Sequence, residues 1–256
     1  MDKSDGPGAL NRDRFDPEDI LAGIREWIDI ESPSHDAAAV NRMVDKVEGQ
    51  MRRLGARIER HPGKDGFGDM LVARTPWGGD GPGILVLSHL DTVHPIGFLK
   101  DTLPFKREGD VVYGPGIYDM KAGAFLGYHA FRHLVREGRT THLPVTFAFV
   151  PDEEVGSNTT RELIEHLARN AKYVLVTEPA RDGGKIVTSR KGVGRFTLRT
   201  EGRPAHAGAR HEDGRSAIKE MARQVLAIEA MTDYARGITT SVGLIQGGTG
   251  VNVIPQ

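Results

Sequence analysis

His89 and Asp91 stand two residues apart just after the apolar run Ile84-Leu85-Val86-Leu87, and Asp152, Glu153 and Glu154 follow the apolar stretch from Val145 to Val150. Glu178 follows a third such run, Tyr173-Val174-Leu175-Val176, and Asp119 lies in a Gly-rich loop between the first two. An imidazole and several carboxylates form a donor set for a divalent metal, and a metal held so can activate water and polarise a carbonyl. In an open α/β sheet, chemistry gathers outside the carboxyl ends of the strands. Donors placed at the ends of separate apolar strands therefore describe one convergent site, a hydrolytic metal centre.

Each donor also has a plainer reading. A single His at a strand end is usually an ordinary loop residue. His89 stands above that because residues two apart share a face of a strand, so Asp91 can bond the ring nitrogen that does not meet the metal and fix the tautomer. Glu153 and Glu154 read as a solvated acidic turn, except that the strand before them is too apolar for an exposed edge. Neighbouring side chains in extended backbone point to opposite sides, so one can hold metal while the other faces substrate as a general base. Glu178, before Pro179, reads on its own as a turn or cap carboxylate.

Asp16-Pro17-Glu18-Asp19 opens a helix with a capping side chain, Pro at its first position and acid in its first turn, and Ile20, Ile24, Trp27 and Ile28 form its apolar stripe. A second helix starts near Asp36, turns Val40, Val44, Val47, Met51 and Leu54 inward and stops at Gly55. A strand pair over 56–60 and 70–74 follows. From Ile84 onward the pattern is strand, ligand loop, helix. One helix begins after Asp119 and ends near Gly138, and another covers 158–169 between two apolar strands. This predicts a βαβ-type sheet with both faces covered. Beyond Lys191 the character changes to alternating strands at 193–200 and 239–245 around an amphipathic helix at 214–230, the start of a second α+β domain. The expected division is 1–191 and 192–256.

Lys and Arg number 34 against 35 Asp and Glu, a formal net charge of -1, which implies neither a nucleic-acid nor an anionic-membrane partner. The chain has no cysteine, so disulfides, thiolate nucleophiles and Cys-ligated zinc are excluded and His and carboxylate remain as ligands. Residues 1–11 lack the apolar core of a signal peptide, and no run approaches the roughly 18 apolar residues of a spanning helix. The expectation is a cytoplasmic protein.

Four segments in order, His89-Leu90-Asp91-Thr92-Val93, Gly114 through Gly123 around Asp119, Asp152-Glu153-Glu154-Val155-Gly156-Ser157 and Thr177-Glu178-Pro179, resemble the M20 metallopeptidases. That family includes carboxypeptidases, aminoacylases and succinyl-diaminopimelate desuccinylase. Gly202-Arg203-Pro204-Ala205-His206-Ala207-Gly208 and Gly247 through Pro255 resemble two motifs of the family's lid, or dimerisation, domain. The stretch His89 to Pro95 looks most like the glutamate carboxypeptidases.

The resemblance implies an α/β zinc-hydrolase sheet covered by helices, with an inserted α+β lid that is incomplete. It implies two zinc ions, with cobalt as a substitute: His89 and Glu178 on one, Glu154 on the other, Asp119 bridging. Glu153 matches the general base and Asp91 the partner of His89. His206 and Asn252 match lid residues that approach the site on closure, the His reaching it from the partner subunit of a homodimer to stabilise an oxyanion. The implied substrates are small peptides or N-acyl amino acids. In the family the chain continues past Asn252-Val253-Ile254-Pro255 to a carboxylate-binding arginine and a last metal-binding His, so the resemblance also implies a chain that stops short of both. The alternative expectation is therefore an inactive metal- or peptide-binding module of the same fold.

Overall fold

The computed structural model describes residues 14–181 and 183–256, and the polar start at 1–11 lies outside the described residues. The chain divides into two compact units between Lys185 and Ile186.

In the first unit, α1 (Pro17–Ile28) begins where the Asp16 side chain accepts the Glu18 amide, and α2 (Ala37–Arg53) begins where Asp36 caps the Ala39 amide. Strands β1 (Arg57–His61), β2 (Met70–Arg74) and β3 (Gly83–His89) follow, then the single turn α3 (Phe98–Asp101) and the hairpin β4 (Lys106–Glu108) and β5 (Val111–Tyr113). The fifteen-residue helix α4 (Ala122–Arg136) leads to β6 (Val145–Val150), and α5 (Arg161–Arg169) leads to β7 (Ala171–Val176).

Five of these strands form one sheet in the order β1-β2-β6-β3-β7, and β4 and β5 stand apart as a two-stranded pair. β1, β2 and β6 pair antiparallel, whereas β3 runs parallel to both β6 and β7. Parallel pairing is the feature that matters for chemistry. It puts the carboxyl ends of β3, β6 and β7 on one edge, with His89 beside Val150 and Leu87 beside Val176.

Alternation along the strands builds the core on two faces. Leu71, Val86, Phe147 and Phe149 turn to one side, where Trp27, Val40, Val44, Phe125 and Phe131 of the helices close over them. Val72, Leu85, Ala148 and Val150 turn to the other, against Leu163, Ile164 and Leu167 of α5. The expected covering of both faces holds for these strands and fails at β7. As the edge strand it leaves Tyr173, Val174, Leu175 and Val176 exposed, and a period-2 or continuous apolar pattern cannot say whether a neighbour lies beyond it.

The second unit carries β8 (Ala205–His206), α6 (Ala217–Glu229, capped by Ser216) and β9 (Val253–Ile254), with β8 and β9 antiparallel. The strands expected over 193–200 and 239–245 are not formed. Phe196 and Leu244 stand almost fully exposed. Alternation prepares a segment to pair, but a strand exists only through the hydrogen bonds of a partner, and among the described residues neither segment has one. No helix of the described residues is long and apolar enough to cross a membrane.

Candidate metal centre

His89 is the last residue of β3 and is 1% exposed. Its amide meets Met120 Sδ at 3.3 Å, which ties the strand end to the loop carrying Asp119. Its ring is held at both nitrogens, by Asp91 at Nδ1 and by Asp119 at Nε2. Nδ1 lies 3.0 Å from the Asp91 carbonyl oxygen and 3.3 Å from Asp91 Oδ1, so Nε2 is turned toward the acidic groups. From Nε2, Asp119 Oδ1 is at 3.0 Å, Glu178 Oε1 at 3.6 Å and Glu153 Oε2 at 3.8 Å.

Donor atoms of His89, Asp119 and Glu154 lie within 4.8 Å of one another, and so do donor atoms of His89, Glu153 and Glu178. The candidate ligands thus come together around one imidazole. Their grouping puts Glu154 on the Asp119 side and Glu153 on the Glu178 side.

Glu153 and Glu154 are not in extended backbone, as the sequence suggested. They form a 3-10 turn, Glu153–Val155, closed by the Gly156 amide on the Glu153 carbonyl. What splays their side chains is a buried clasp. Asp91 Oδ1 accepts the Glu153 amide and Oδ2 the Glu154 amide, each at 3.2 Å, and Oδ2 also takes the Ser34 hydroxyl at 2.6 Å. Asp152, fully buried, holds the other end of the turn through Thr159 N at 2.8 Å and the hydroxyls of Thr159 and Thr160.

That last contact explains why α5 starts at Arg161 and not near Asn158: the residues before it are bound to Asp152 as a turn. Ser34 and Lys121 are positioning groups that the sequence does not single out, and Asp152, read there among the acidic donors, is buried as an anchor of the turn. Their signal is burial of a polar group, which appears only once the chain is folded.

Asp119 follows Gly116, whose φ of 68° is open to glycine, in an irregular turn over Ile117–Lys121 where Asp119 and Met120 leave helical φ/ψ; the Asp119–Met120 peptide is cis. Glu178 is brought close by the N-terminus of α4. A Cβ on Gly123 would sit 1.9 Å from the Thr177 carbonyl oxygen, so only glycine lets the two backbones meet there. Ser88 and Thr177 hydroxyls bond at 2.7 Å on the same seam.

Burial works against a charged His89 ring, but Asp91, then Glu153 and Glu178, outweigh it and hold the imidazole up at about 9. Burial pushes Glu154 up to about 7; His89 opposes the rise and Asp119, Asp91 and Glu153 add to it. Burial likewise brings Lys121 down to about 7 against Glu31 and Asp91. A half-buried carboxylate raised first by burial and then by acidic neighbours is one that added positive charge would stabilise in its ionised form. Among the described residues, His89 is the only cation paired with Asp119 and Glu153. An imidazole facing several carboxylate oxygens at this spacing is a donor set that suits a divalent cation.

A cavity of about 360 Å³ adjoins the cluster, lined among others by Met120, Ser157, Arg161 and Ile164. In the second unit, His206 and Asn252 are drawn together by the β8–β9 pair, where the Ala207 amide bonds the Asn252 carbonyl at 2.9 Å.

The profile described as "Peptidase family M20/M25/M40" matches residues 85–254, from the strand bearing His89 through the second unit. The chain belongs to that family. Among curated proteins it is 31% identical over 238 residues to "Carboxypeptidase G2" of Pseudomonas sp. (strain RS-16), covering 92% of this chain and 57% of that protein. It is 28% identical over 235 residues to "Aminoacylase-1" of Mus musculus, covering 82% and 56% respectively. The chain spans about half the length of the curated M20 relatives it matches. Its fold is that of solved structures including the aminopeptidase PepT from Bacillus cereus ATCC 10987, with a TM-score of 0.64, 23% identity and coverage of 94% and 64%. A tripeptidase from Staphylococcus aureus subsp. aureus Mu50 gives 0.68, 18%, and 97% and 64%.

Proposed function

We propose that this M20 chain works as a metal-dependent hydrolase of amide or peptide bonds in small peptides or N-acyl amino acids, with a C-terminal amino acid as the released product. The observation that carries the reading is the buried His89 ring, anchored at Nδ1 by Asp91 and open at Nε2 toward Asp119, Glu153 and Glu178. His89 and Glu178 would hold one zinc, Glu154 the other, with Asp119 between them. Bound there, a pair of such cations supplies Lewis acidity to the substrate carbonyl and to the attacking water.

The protein's own groups do the rest. Glu153, exposed and not needed as a ligand in this assignment, takes the proton of the attacking water and hands it to the leaving nitrogen. Asp91 keeps the Nε2 lone pair of His89 aimed at the donors and fixes the backbone from which Glu153 and Glu154 project. In this reading the first unit is the catalytic domain and the second the lid and dimerisation domain, whose His206 would serve a partner subunit of a homodimer as donor to the developing oxyanion, with Asn252 beside it.

The test is hydrolysis of dipeptides and N-acyl amino acids by zinc-loaded protein, with zinc content measured alongside. Glu153→Gln should keep its zinc and lose about 100-fold or more of kcat, while Glu154→Gln should lose zinc. Turnover that survives Glu153→Gln, or zinc lost from that variant, would refute the assignment.

A further inference from the structure

Residues 30–34 form a strap between α1 and α2 that touches both sides of the metal centre. On one side it is laced to the end of β3. The Thr92 amide bonds the Ser32 carbonyl at 2.8 Å, the Ser34 amide bonds the Thr92 carbonyl at 3.2 Å, and the Ser32 hydroxyl reaches the Leu90 carbonyl at 2.6 Å. The Ser34 hydroxyl then donates to Asp91 Oδ2 at 2.6 Å, opposite the Glu154 amide. On the other side, Lys121, two residues beyond Asp119, donates from Nζ to the Ile30 carbonyl at 2.5 Å and the Trp27 carbonyl at 3.3 Å. Ser32, Ser34 and Lys121 are all at most 4% exposed, so these bonds do not compete with water.

Among the described residues, Asp119 itself has no comparable buried tether. Its carboxylate is more than half exposed and, among the described residues, its one ion pair is with His89 Nε2 at 3.0 Å, while the backbone around it is an irregular turn with non-helical φ/ψ at Asp119 and Met120. The buried arm of Lys121 is therefore what moors that turn, and the strap is what moors Lys121. The same strap fixes Asp91, and through Asp91 the ring of His89 and the amides of Glu153 and Glu154.

Resting on the metal-centre reading above, we propose that Ser34 and Lys121 are positioning residues which, through the strap of residues 30–34, set the gap between His89 and Asp119 into which the metal fits. A buried Lys can also serve only to satisfy the carbonyls at the end of α1, and a buried Ser only to fill a hydrogen bond. The two roles differ in what they change. A purely structural bond alters the stability of the metal-free protein and leaves zinc affinity alone; a positioning bond alters zinc affinity beyond any loss of stability, since groups that orient metal ligands are worth about 10- to 100-fold in affinity.

The experiment compares the parent chain with Ser34→Ala, Ser34→Thr and Lys121→Met. Zinc Kd is measured by competition with a chelating dye, the thermal midpoint in excess chelator, and the visible spectrum after cobalt loading. Ser34→Ala is expected to weaken zinc by about 10-fold and to shift the cobalt bands, with Ser34→Thr, which keeps the hydroxyl, recovering most of the loss. Lys121→Met is expected to weaken zinc at least as much. Should Lys121→Met fail to fold, the Ser34 pair decides the matter alone. A zinc Kd within about twofold of the parent in every folded variant, with only the chelator midpoint lowered, overturns the inference and leaves the metal centre standing. A parent that binds no zinc overturns both.

Discussion

Asp91 Oδ1 accepts the backbone N–H of Glu153 at 3.2 Å, a bond from the end of β3 to the turn after β6. The acidic turn is therefore aimed by a residue on a neighbouring strand, and the same carboxylate stands beside Nδ1 of His89. One fully buried charge orients the imidazole and both glutamates at once. Hydrogen bonds to a charged group are worth about 1.5–3 kcal/mol each, and an amide in that place turns N–H donors against other donors.

Asp91→Asn is accordingly expected to lower the thermal midpoint in chelator and to weaken zinc by about 10- to 100-fold. Chelator competition and calorimetry measure the two effects. Unchanged zinc affinity would mean that the ring and the turn are oriented by something else.

The β1–β2 hairpin offers a test away from the metal centre. Asp69 accepts the Gly63 amide at 2.8 Å and Arg60 Nε at 2.7 Å. Burial pushes its pKa up, but the Gly63 amide and Arg60 together bring it below the ordinary value. A depressed carboxylate pKa contributes stability that is present above the unfolded value of about 3.9 and is lost as pH falls through the folded value. Parent and Asp69→Asn should differ in urea midpoint at pH 6–7 and converge below about pH 4. A gap that persists unchanged into acid would contradict this account of Asp69.

His206 makes a tautomer prediction. Its Nδ1 accepts the amides of Gly208 at 3.1 Å and Ala209 at 3.0 Å, and a nitrogen that accepts carries no proton in the neutral ring. The proton must sit on Nε2, which leaves that atom as a donor, the form an oxyanion partner requires. Nitrogen-15 NMR of the histidine rings at neutral pH should show His206 with a protonated Nε2. A proton on Nδ1 would remove it from the donor role.

Much of this site was legible in the sequence because the donors are few in kind and sit where apolar strands stop. The pattern of Ile84 to His89 and of Val145 to Val150 located two strand ends, and parallel pairing did the rest. Helix starts were readable at Asp16 and Asp36, since a capping side chain acts within its own turn. What was not legible depends on distant partners. Nothing in the sequence says that Asp91 would hold the amides of Glu153 and Glu154, or that this would make them a 3-10 turn. Ser34 and Lys121 look like ordinary loop and helix residues until the fold buries them. The unformed strands at 193–200 and 239–245 and the bare face of β7 fail for the same reason, because pairing and cover belong to the partner and not to the segment.

The most direct test of the metal centre is the thermal midpoint of chelator-stripped protein with and without zinc, in the parent and in His89→Ala. A ligand that binds only the folded state at 100 times its Kd adds about 2.7 kcal/mol. The parent midpoint should rise with zinc or cobalt and fall back with chelator, and His89→Ala should lose most of that rise. A parent midpoint indifferent to zinc, cobalt and chelator alike would contradict the assignment of His89, Asp119, Glu154 and Glu178 as metal ligands.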